Sequence, residues 1–547
     1  MSTRSDRYDF VCAVVLAALT VISRLPYRAR MLYNWDAVQF ALALTEYDVV
    51  KHQPHPPGYI LYVALGRLVN HWLRDPAAAY VVLAVVFSGL TTFVVYYLAR
   101  AVYDRTTALA SGTLLAVSPL FWFYGSVGLT YAGEALVASV VAYFSFRAMH
   151  GSATDAWLAA GYLGLAGGLR QSALVLLFPL WLGATAYGGG RIRTILIGLA
   201  VTALAALAWF VPMIWITGGL ARYVEASLDL AETVVKPTWI IGGAFEATFR
   251  MSRYLVESVV VALGPLVLAV FLLPWYVRRQ GVGAREWFLV TWAVPAVLVY
   301  TLVHFGQAGY VLTFLPALVI LLSHVVLVAL GSLLSARPRL RAAVAVAVVT
   351  LIVLVNGAFF VSARPAPRDF DAARPGWVQQ AHDEAFDWIF SRTAAALREH
   401  EAVVQTFVEA IRGLYDPSDT VVVTELGNPR SYPWLRHAMY YLGDYPIYEL
   451  RVGALPAGYY APRLAVAMTP VLESEIRLAS SIKRLVWFVD HWNTTSDRPP
   501  GLVEIDLPHG RFLYVLPLGR RPVEYAGYTL VREELPHRAR GVAARPR

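Results

Sequence analysis

The sequence predicts a polytopic α-helical membrane protein, with about 11 transmembrane helices, followed by a small soluble α/β domain. Three observations lead to this fold class. Hydrophobic residues make up 58% of the chain and charged residues only 15%, whereas a soluble domain averages about 25% charged. Apolar runs of roughly 20 residues recur along the first two thirds of the chain. From about Ser362 onward, shorter strand-like runs alternate with helical patterns.

The predicted spans rest on a series of apolar runs that are mostly near the length a bilayer requires. They lie near residues 9–26, 77–100, 106–125, 130–148, 155–169, 171–188, 194–217, 252–277, 286–304, 308–335 and 341–362. The first follows Arg4 and Arg7, and no small-residue cleavage site comes after it, so we expect an uncleaved span. The run at 155–169 is short, as a broken or partly buried helix would be.

Basic residues fix the predicted orientation. With the N-terminus in the cytoplasm, every turn on that side is basic, as the positive-inside rule requires. These turns carry Arg4, Arg7, Arg100, Arg105, Arg147, Arg191, Arg193, Arg278, Arg279, Arg285, Arg337, Arg339 and Arg341. The net charge of +9 is therefore assigned to cytoplasmic turns, and nucleic acid is not an expected partner. The chain is expected in the cytoplasmic (inner) membrane among membrane lipids, with its C-terminal domain outside.

Changes in composition predict four regions. Residues 1–362 form the membrane domain, 363–376 a linker rich in proline and arginine, 377–530 an extracytoplasmic α/β domain, and 531–547 a basic tail. Within the third region, strands are expected at 420–424, 446–450, 484–490 and 502–518. Helices are expected at 377–414, 433–442 and 470–482. This alternation favours a partly parallel sheet.

The first external loop, 27–76, holds the densest group of titratable residues. Amphipathic helices are expected at 36–47 and 58–73, with the proline-rich turn 54–57 between them. Asp36 at the membrane edge has two interpretations: a general base that accepts the proton of an acceptor hydroxyl, or the N-cap of the first helix. Asp48 is better explained as a surface charge on the loop.

The same turn carries His52 and His55. Two loop histidines could bind an anionic phosphate or a divalent metal ion, and neutral loop histidines without either role are common. A metal site needs further ligands that the sequence does not place. No cofactor is therefore predicted with certainty, and a divalent metal ion stays open.

Two charged residues lie at the outer ends of predicted spans. Glu134 is about one turn into the span 130–148, where an acid must face a polar cavity, find a partner, or snorkel to the interface. Arg170 lies between two apolar runs on the outer side, against the trend of the charge rule. It is a candidate to bind a phosphate or to pair with an acid, and the alternative is a simple hairpin turn.

Two further segments contain candidate polar residues. In the segment 304–318, Gln307 and Tyr310 could line a cavity, or the segment could be a plain re-entry turn. In the C-terminal region, a helix pattern with His437 and Tyr440 and the sequence Asp490-His491-Trp492 could form a site, although such groups are more often loops. The sequence Asn493-Thr494-Thr495 fits a glycosylation acceptor pattern, which matches by chance frequently.

Five segments together resemble a known family. They read NWDAVQFALAL, HQPHPPGYILYV, GLTYAGEALVAS, GLAGGLRQSALVLLFPLWLG and GQAGYVLTFLPAL. In order, spacing and sidedness, residues 1 to about 330 resemble bacterial glycosyltransferases of the GT-C fold, of the protein O-mannosyltransferase-like and aminoarabinose-transferase-like type. The resemblance implies a polyprenyl-phosphate-linked sugar as the donor and an acceptor at the outer face, whether a lipid, a glycan or a protein.

The resemblance also implies roles for individual residues. The first-loop aspartate of the family falls on Asp36, and its second acidic position falls approximately on Glu134. Its basic outer residues fall among His55, Arg170 and Lys236. Aminoarabinose transferases carry an acid and a lysine where this chain has Pro54 and His55, which puts a metal at this position in doubt. Eukaryotic protein O-mannosyltransferases have an Asp-Glu pair where this chain has Asp36-Ala37, which leaves the acceptor class open.

The chemistry of such a transfer is simple. A lipid phosphate is a good leaving group, so the reaction needs a base for the acceptor and positive charge for the departing phosphate. Asp36 is the candidate base, and Arg170, His52 and His55 are candidates for the charge. Backside attack would invert the anomeric carbon. Two other classes stay open: a transporter or flippase, which would favour paired half-repeats and broken midplane helices, and a non-catalytic membrane scaffold, which would not need Asp36.

Overall fold

The computed structural model describes residues 4–243, 245–364, 387–428, 430–453, 474–492, 498–519 and 521–533. The described residues form two compact units, one up to Glu401 and one from Ala402 onward. The linker 363–376 lies almost entirely outside the described residues, as do most of the tail 531–547 and the acceptor pattern Asn493-Thr494-Thr495. The domain boundaries stay predictions.

The first unit is helical. Its helices are α1 Arg4–Arg24, α2 Trp35–Thr45, α3 Ile60–Leu73, α4 Pro76–Val102, α5 Arg105–Ala116, α6 Pro119–Tyr124, α7 Tyr131–Ala148, α8 Ala153–Leu169, α9 Ser172–Tyr187, α10 Ile192–Thr217, α11 Leu220–Leu230, α12 Phe245–Leu263, α13 Leu273–Gln280, α14 Ala284–Leu302, α15 Leu315–Leu333 and α16 Pro338–Ser362. Helix α17, Ala394–Leu414, contains the division between the units.

A helix, or two consecutive helices, lies at each predicted span, and the predicted helical class is confirmed. By length and composition, six helical segments of the described chain could cross a membrane. They are Asp6–Tyr27, Pro76–Val102, Ile192–Thr217, Phe245–Gln280, Leu315–Leu333 and Pro338–Ser362. The number of transmembrane helices stays a prediction.

Two predicted spans are interrupted for identifiable reasons. The span 106–125 divides into α5 and α6 because Pro119 cannot continue the hydrogen bonding of the preceding helix. The span 252–277 is part of a longer rod in which the 3₁₀ segment Gly264–Leu272 separates α12 from α13. Gly264 has a positive φ of 54° and precedes a proline, so regular α-helix cannot pass through it.

Close helix packing builds the core of this unit. Helix α8 packs on both α7 and α10, and α4 packs on α1 and α7. A Cβ atom on Gly164 would lie 2.5 Å from the carbonyl oxygen of Thr202, so glycine is what lets α8 and α10 approach. The indole of Trp209 then donates to the Gly164 carbonyl at 2.8 Å. Small residues with interhelical hydrogen bonds are typical of membrane helix pairs.

The second unit contains two sheets. Their strands are β1 Thr420–Leu426, β2 Ile447–Arg451, β3 Glu475–Leu478, β4 Arg484–Trp487, β5 Val503–Leu507, β6 Arg511–Pro517, β7 Val523–Tyr525 and β8 Tyr528–Arg532. The larger sheet has the order β2-β1-β4-β6-β5, and the smaller sheet has the order β3-β8-β7. Strand β1 is parallel to both neighbours, while β6 is antiparallel to β4 and β5. A partly parallel sheet was predicted.

Two predicted elements of this unit were wrong in detail. The helix expected at 470–482 is contradicted by strand β3, which pairs with β8. The single strand expected at 502–518 is a hairpin, β5 and β6, joined through Pro508–Gly510, where Pro508 removes a ladder donor and Gly510 takes a positive φ of 68°. Helix α18, Leu435–Tyr441, lies where a helix was expected and packs on β1 and β2.

Candidate active site

Helix α2 presents Asp36 in its first turn. The N-cap is Asn34, whose side-chain oxygen accepts from the Ala37 amide at 3.1 Å. Capping, one of the two interpretations of Asp36, therefore belongs to Asn34. The Asp36 side chain stays 24% exposed, so its carboxylate can meet a substrate.

His55 lies against Asp36. Its Nδ1 is 3.7 Å from the Asp36 carboxylate and also contacts the side-chain oxygen of Gln39. The His55 amide donates to the same Gln39 oxygen at 3.2 Å. On the other side of the ring, Nε2 is 3.1 Å from the Tyr59 hydroxyl. The imidazole is thus held between α2 and the start of α3, beside the carboxylate.

A second pair is formed by Glu134 and Arg170. The Nε atom of Arg170 is 3.0 Å from Oε2 of Glu134, and the two side chains are 9% and 0% exposed. Glu134 lies in the first turn of α7 and Arg170 is the C-cap of α8, so the pair joins two helices that pack on each other. The geometry shows the pairing with an acid that the sequence left open.

Two tyrosine rings enclose the guanidinium of Arg170. Its central carbon lies 4.8 Å from the ring centroid of Tyr131 and 4.4 Å from that of Tyr310. Such cation–π contacts hold a cation without neutralising it. Gly309 makes this arrangement possible, because a Cβ atom there would lie 2.4 Å from the Tyr131 ring. The Thr130 hydroxyl accepts a further hydrogen bond from Arg170 at 3.3 Å.

Tyr59 connects the two pairs. Its phenol is within electrostatic range of Asp36, Glu134, Arg170 and Tyr310. Burial raises the pKa of Tyr59, so the phenol stays neutral and can donate a hydrogen bond. The structure therefore brings together five of the residues selected from the sequence. They are Asp36, His55, Glu134, Arg170 and Tyr310.

Three other candidates have weaker connections to this group. His52 is buried in the turn that joins Asp48 to Gln53 and has a positive φ of 56°. Gln307 is half-buried and precedes the 3₁₀ turn Ala308–Thr313 that carries Tyr310. Lys236 is exposed, two residues before Thr238.

Lys236 begins the short 3₁₀ segment Lys236–Thr238, and it is Thr238 of this segment that contacts a residue near the site. The Thr238 hydroxyl is 2.9 Å from Nδ1 of His304, and the His304 ring packs edge-on against Tyr310.

Asp48 is engaged within its own turn, because its carboxylate accepts from the Val50 amide at 2.9 Å. This agrees with its interpretation as a loop residue.

Sequence reasoning missed the groups that hold the charges in place. From the sequence, Tyr59 is expected only as an interfacial aromatic residue and Tyr131 only as part of an aromatic and glycine-rich segment, and Gln39 is not among the candidates. Gln171, next to Arg170, donates to the Pro57 carbonyl at 3.0 Å and fixes the first loop to the start of α9.

The described residues contain no group of three or more His, Cys, Asp or Glu side chains able to hold a metal ion. Beside Gln171, an apolar cavity of about 440 Å³ lies between α9 and α10. A second cavity of about 660 Å³ continues from Leu207 and Phe210 toward the turn that ends α10. Together these cavities, which we call the α9–α10 groove, extend from the neighbourhood of Arg170 along an apolar wall.

Comparison with known proteins gave two kinds of match. Residues 54–216 match the family described as dolichyl-phosphate-mannose-protein mannosyltransferase. Curated protein sequences gave no match. The crystal structure of ArnT from Cupriavidus metallidurans bound to undecaprenyl phosphate is similar in fold, with a TM-score of 0.54 and 13% identity over 92% of this chain and 97% of that one. The apo structure of ArnT gives a TM-score of 0.55 at the same identity and coverage.

These findings confirm the predicted GT-C fold and the predicted resemblance. With the apolar helices, they characterise the chain as a multi-pass membrane protein of the GT-C fold, and residues 54–216 are similar to a mannosyltransferase family.

Proposed function

We propose that the chain transfers a sugar from a polyprenyl-phosphate donor to a hydroxyl of a lipid, glycan or protein at the outer face of the cytoplasmic membrane, with inversion. The observation that carries this proposal is that a partly exposed carboxylate, Asp36, and a caged cation, Arg170, interact with the same two phenols, those of Tyr59 and Tyr310. The similar ArnT structure contains undecaprenyl phosphate, which supports a donor of this class.

The donor is bound through its two unlike ends. Its phosphate lies at Arg170, whose guanidinium keeps its positive charge and has N–H donors beyond those that Glu134 and Thr130 use. Its hydrocarbon chain lies in the α9–α10 groove, which is lined mainly by apolar side chains and begins beside Gln171. Lateral diffusion in the membrane brings the lipid to this groove.

In the transfer step, the acceptor hydroxyl attacks the anomeric carbon. The new bond forms between the acceptor oxygen and that carbon, and the hydroxyl proton passes to the Asp36 carboxylate. The bond from the anomeric carbon to the phosphate oxygen breaks, and polyprenyl phosphate leaves with the electron pair. Arg170 stabilises the charge that develops on this leaving group. Attack from the face opposite the phosphate inverts the anomeric carbon.

The remaining candidates support these two groups. His55 and Gln39 hold Asp36 in orientation, and Glu134 holds Arg170 as a positioning residue. Gln307 lies three residues after His304, and Lys236 lies two residues before Thr238, which contacts His304. Both are proposed to contact the sugar or the acceptor. His52 stabilises the loop through its buried turn.

Substitution of Asp36 by Asn tests the proposed base. The amide cannot accept the proton, and the helix start is preserved because Asn34 is the cap. Removal of a general base typically lowers the rate by about 100- to 10,000-fold. Release of free polyprenyl phosphate from the donor pool, measured by mass spectrometry in membranes with expressed enzyme, follows the reaction without knowledge of sugar or acceptor.

The matched control is Asp48→Asn, in the same loop but engaged with its own turn, which should keep the wild-type rate. A residual rate above about a tenth for Asp36→Asn would place the base elsewhere. A transporter or flippase would move intact donor without releasing polyprenyl phosphate in any variant. A scaffold would show no difference between wild type and an empty membrane.

A further inference from the structure

The segment 387–401 returns to the helical unit and is anchored at two points. At its start, the Trp388 ring stacks on Tyr254 of α12 at 4.2 Å, and its indole donates to Ser258 at 2.9 Å. At its end, Arg398 donates to the Arg28 carbonyl at 3.0 Å, and Glu401 accepts from the Arg30 amide. The segment therefore crosses from α12 to the beginning of the first loop.

Arg392 lies between these two anchors. Its Nη1 donates to the Trp388 carbonyl at 3.2 Å and to the Ser391 hydroxyl, and its guanidinium lies 4.1 Å from the Trp388 ring centroid. It also interacts with the phenols of Tyr33 and Tyr124. All of these partners are uncharged groups. Among the described residues, no carboxylate forms an ion pair with Arg392.

Two nearby arginines have acidic partners. Arg398 pairs with Glu401, and Arg253 pairs with Glu257 at 3.2 Å. A partly buried cation gains from an anionic partner, because burial removes some of its hydration. The five N–H donors of a guanidinium outnumber the three oxygen atoms, from Trp388, Ser391 and Tyr124, that Arg392 contacts. Arg392 therefore has N–H donors to offer to a further anionic oxygen group.

A series of contacts connects Arg392 to Arg170 of the candidate site. Tyr124, which it contacts, packs edge-on against Tyr131 at 4.7 Å. Tyr131 is one of the two rings that enclose Arg170. Tyr33, the other phenol near Arg392, is three residues before Asp36 in the chain. Two aromatic rings therefore separate Arg392 from Arg170.

We infer that Arg392 is a second anion-binding residue of the outer site and binds a phosphate group of a substrate. The inference rests on the proposed function, because that function supplies phosphate-bearing substrates. The phosphate belongs either to the donor lipid or to the acceptor, and the same guanidinium geometry suits both, since arginine binds phosphate through paired N–H donors.

Two binding measurements on the full-length protein in detergent distinguish these sources. The first is the Kd for undecaprenyl phosphate. The second is the Kd for inorganic phosphate with undecaprenyl phosphate present at saturation. Arg392→Gln should raise one of the two Kd values by about 10- to 100-fold, as expected for loss of charge-assisted hydrogen bonds. An effect on the first assigns the donor, and an effect on the second assigns the acceptor side.

Ser391→Ala is the matched control, because it removes a neighbouring contact and keeps the charge; both Kd values should stay at wild type. Arg392→Lys, which keeps the charge but loses the paired donors, should raise the same Kd by less than Arg392→Gln does. If Arg392→Gln does not fold, Arg392→Met, which keeps the stem packed on Trp388, takes its place. Both Kd values at wild-type level in a folded neutral variant would overturn the inference. A wild-type protein that binds no undecaprenyl phosphate would instead argue against the proposed donor.

Discussion

Separate removal of the two partners of the Glu134–Arg170 pair, and then of both together, tests what this pair does. The side chains are 0% and 9% exposed, so each charge depends on the other for compensation. In Glu134→Leu the guanidinium of Arg170 is left buried, and in Arg170→Met the carboxylate is left buried. Loss of one partner of a buried pair destabilises by about 3–5 kcal/mol, whereas joint replacement by apolar residues is often neutral.

We therefore expect each single variant to be less stable than the double variant Glu134→Leu/Arg170→Met. Arg170→Met should be the less stable single variant, because it also loses the contacts with Tyr131 and Tyr310, each about 0.5–2 kcal/mol. Unfolding in mixed detergent micelles measures these differences. The control is Glu46→Gln at the exposed pair with Lys51, where the change should stay below about 1 kcal/mol.

Activity gives the second half of the test. If Arg170 stabilises the leaving phosphate, the double variant stays slow despite its recovered stability, by about 10- to 100-fold for lost charge-assisted hydrogen bonds. A double variant that regains both stability and turnover would show that the pair is only structural. If the double variant loses as much free energy of unfolding as the two single variants together, the two charges do not compensate each other.

Two further predictions concern a glycine and a buried acid. Gly309→Ala should lower turnover and donor binding, because its Cβ forces the Tyr131 ring away from Arg170, while Gly357→Ala, with open space around it, should not. Burial raises the pKa of Glu449 from its ordinary 4.5 to about 8, so the native state keeps a proton that the unfolded state releases; stability should fall as pH rises from about 4.5 to 8. In Glu449→Gln, the melting temperature should no longer fall over this pH range. A melting temperature that depends on pH as in the wild type would contradict the prediction.

The helical part of the fold was predictable because its signals are long and repeated. Apolar runs and basic turns recur many times, so an error at one boundary does not change the class. The interruptions at Pro119 and Gly264 were harder to predict, since an isolated proline or glycine is also compatible with a continuous membrane helix. The residues on both sides of each interruption are apolar, so a hydropathy profile shows a single continuous run.

The C-terminal unit shows where local patterns are insufficient. The stretch that contains β3 has Glu, Leu, Ala and Ser, which suit a helix, yet pairing with β8 at the far end of the chain determines a strand. The hairpin at Pro508–Gly510 did carry a turn signal in its proline and glycine, and it was read as part of one strand. Tertiary pairing overrides propensity in the first case, and the second was an oversight of turn chemistry.

The candidate site was predictable residue by residue but not as an arrangement. Each charged residue could be selected because charge is rare beside apolar runs. That Arg170 pairs with Glu134, and not with Asp36, depends on how α7 packs on α8 and α9, which spacing in the sequence does not encode. The aromatic cage around Arg170 escaped notice because tyrosines in apolar segments resemble ordinary core.

The choice of Glu134 as the partner of Arg170 has a chemical consequence for the proposed mechanism. An arginine bound directly to Asp36 would favour the charged carboxylate and weaken it as a base. In the proposed mechanism, Arg170, held by Glu134 and two rings, stabilises the leaving phosphate, while Asp36 has a histidine neighbour at 3.7 Å and stays partly exposed. Inversion requires this separation, because the base and the leaving-group cation act on opposite faces of the anomeric carbon.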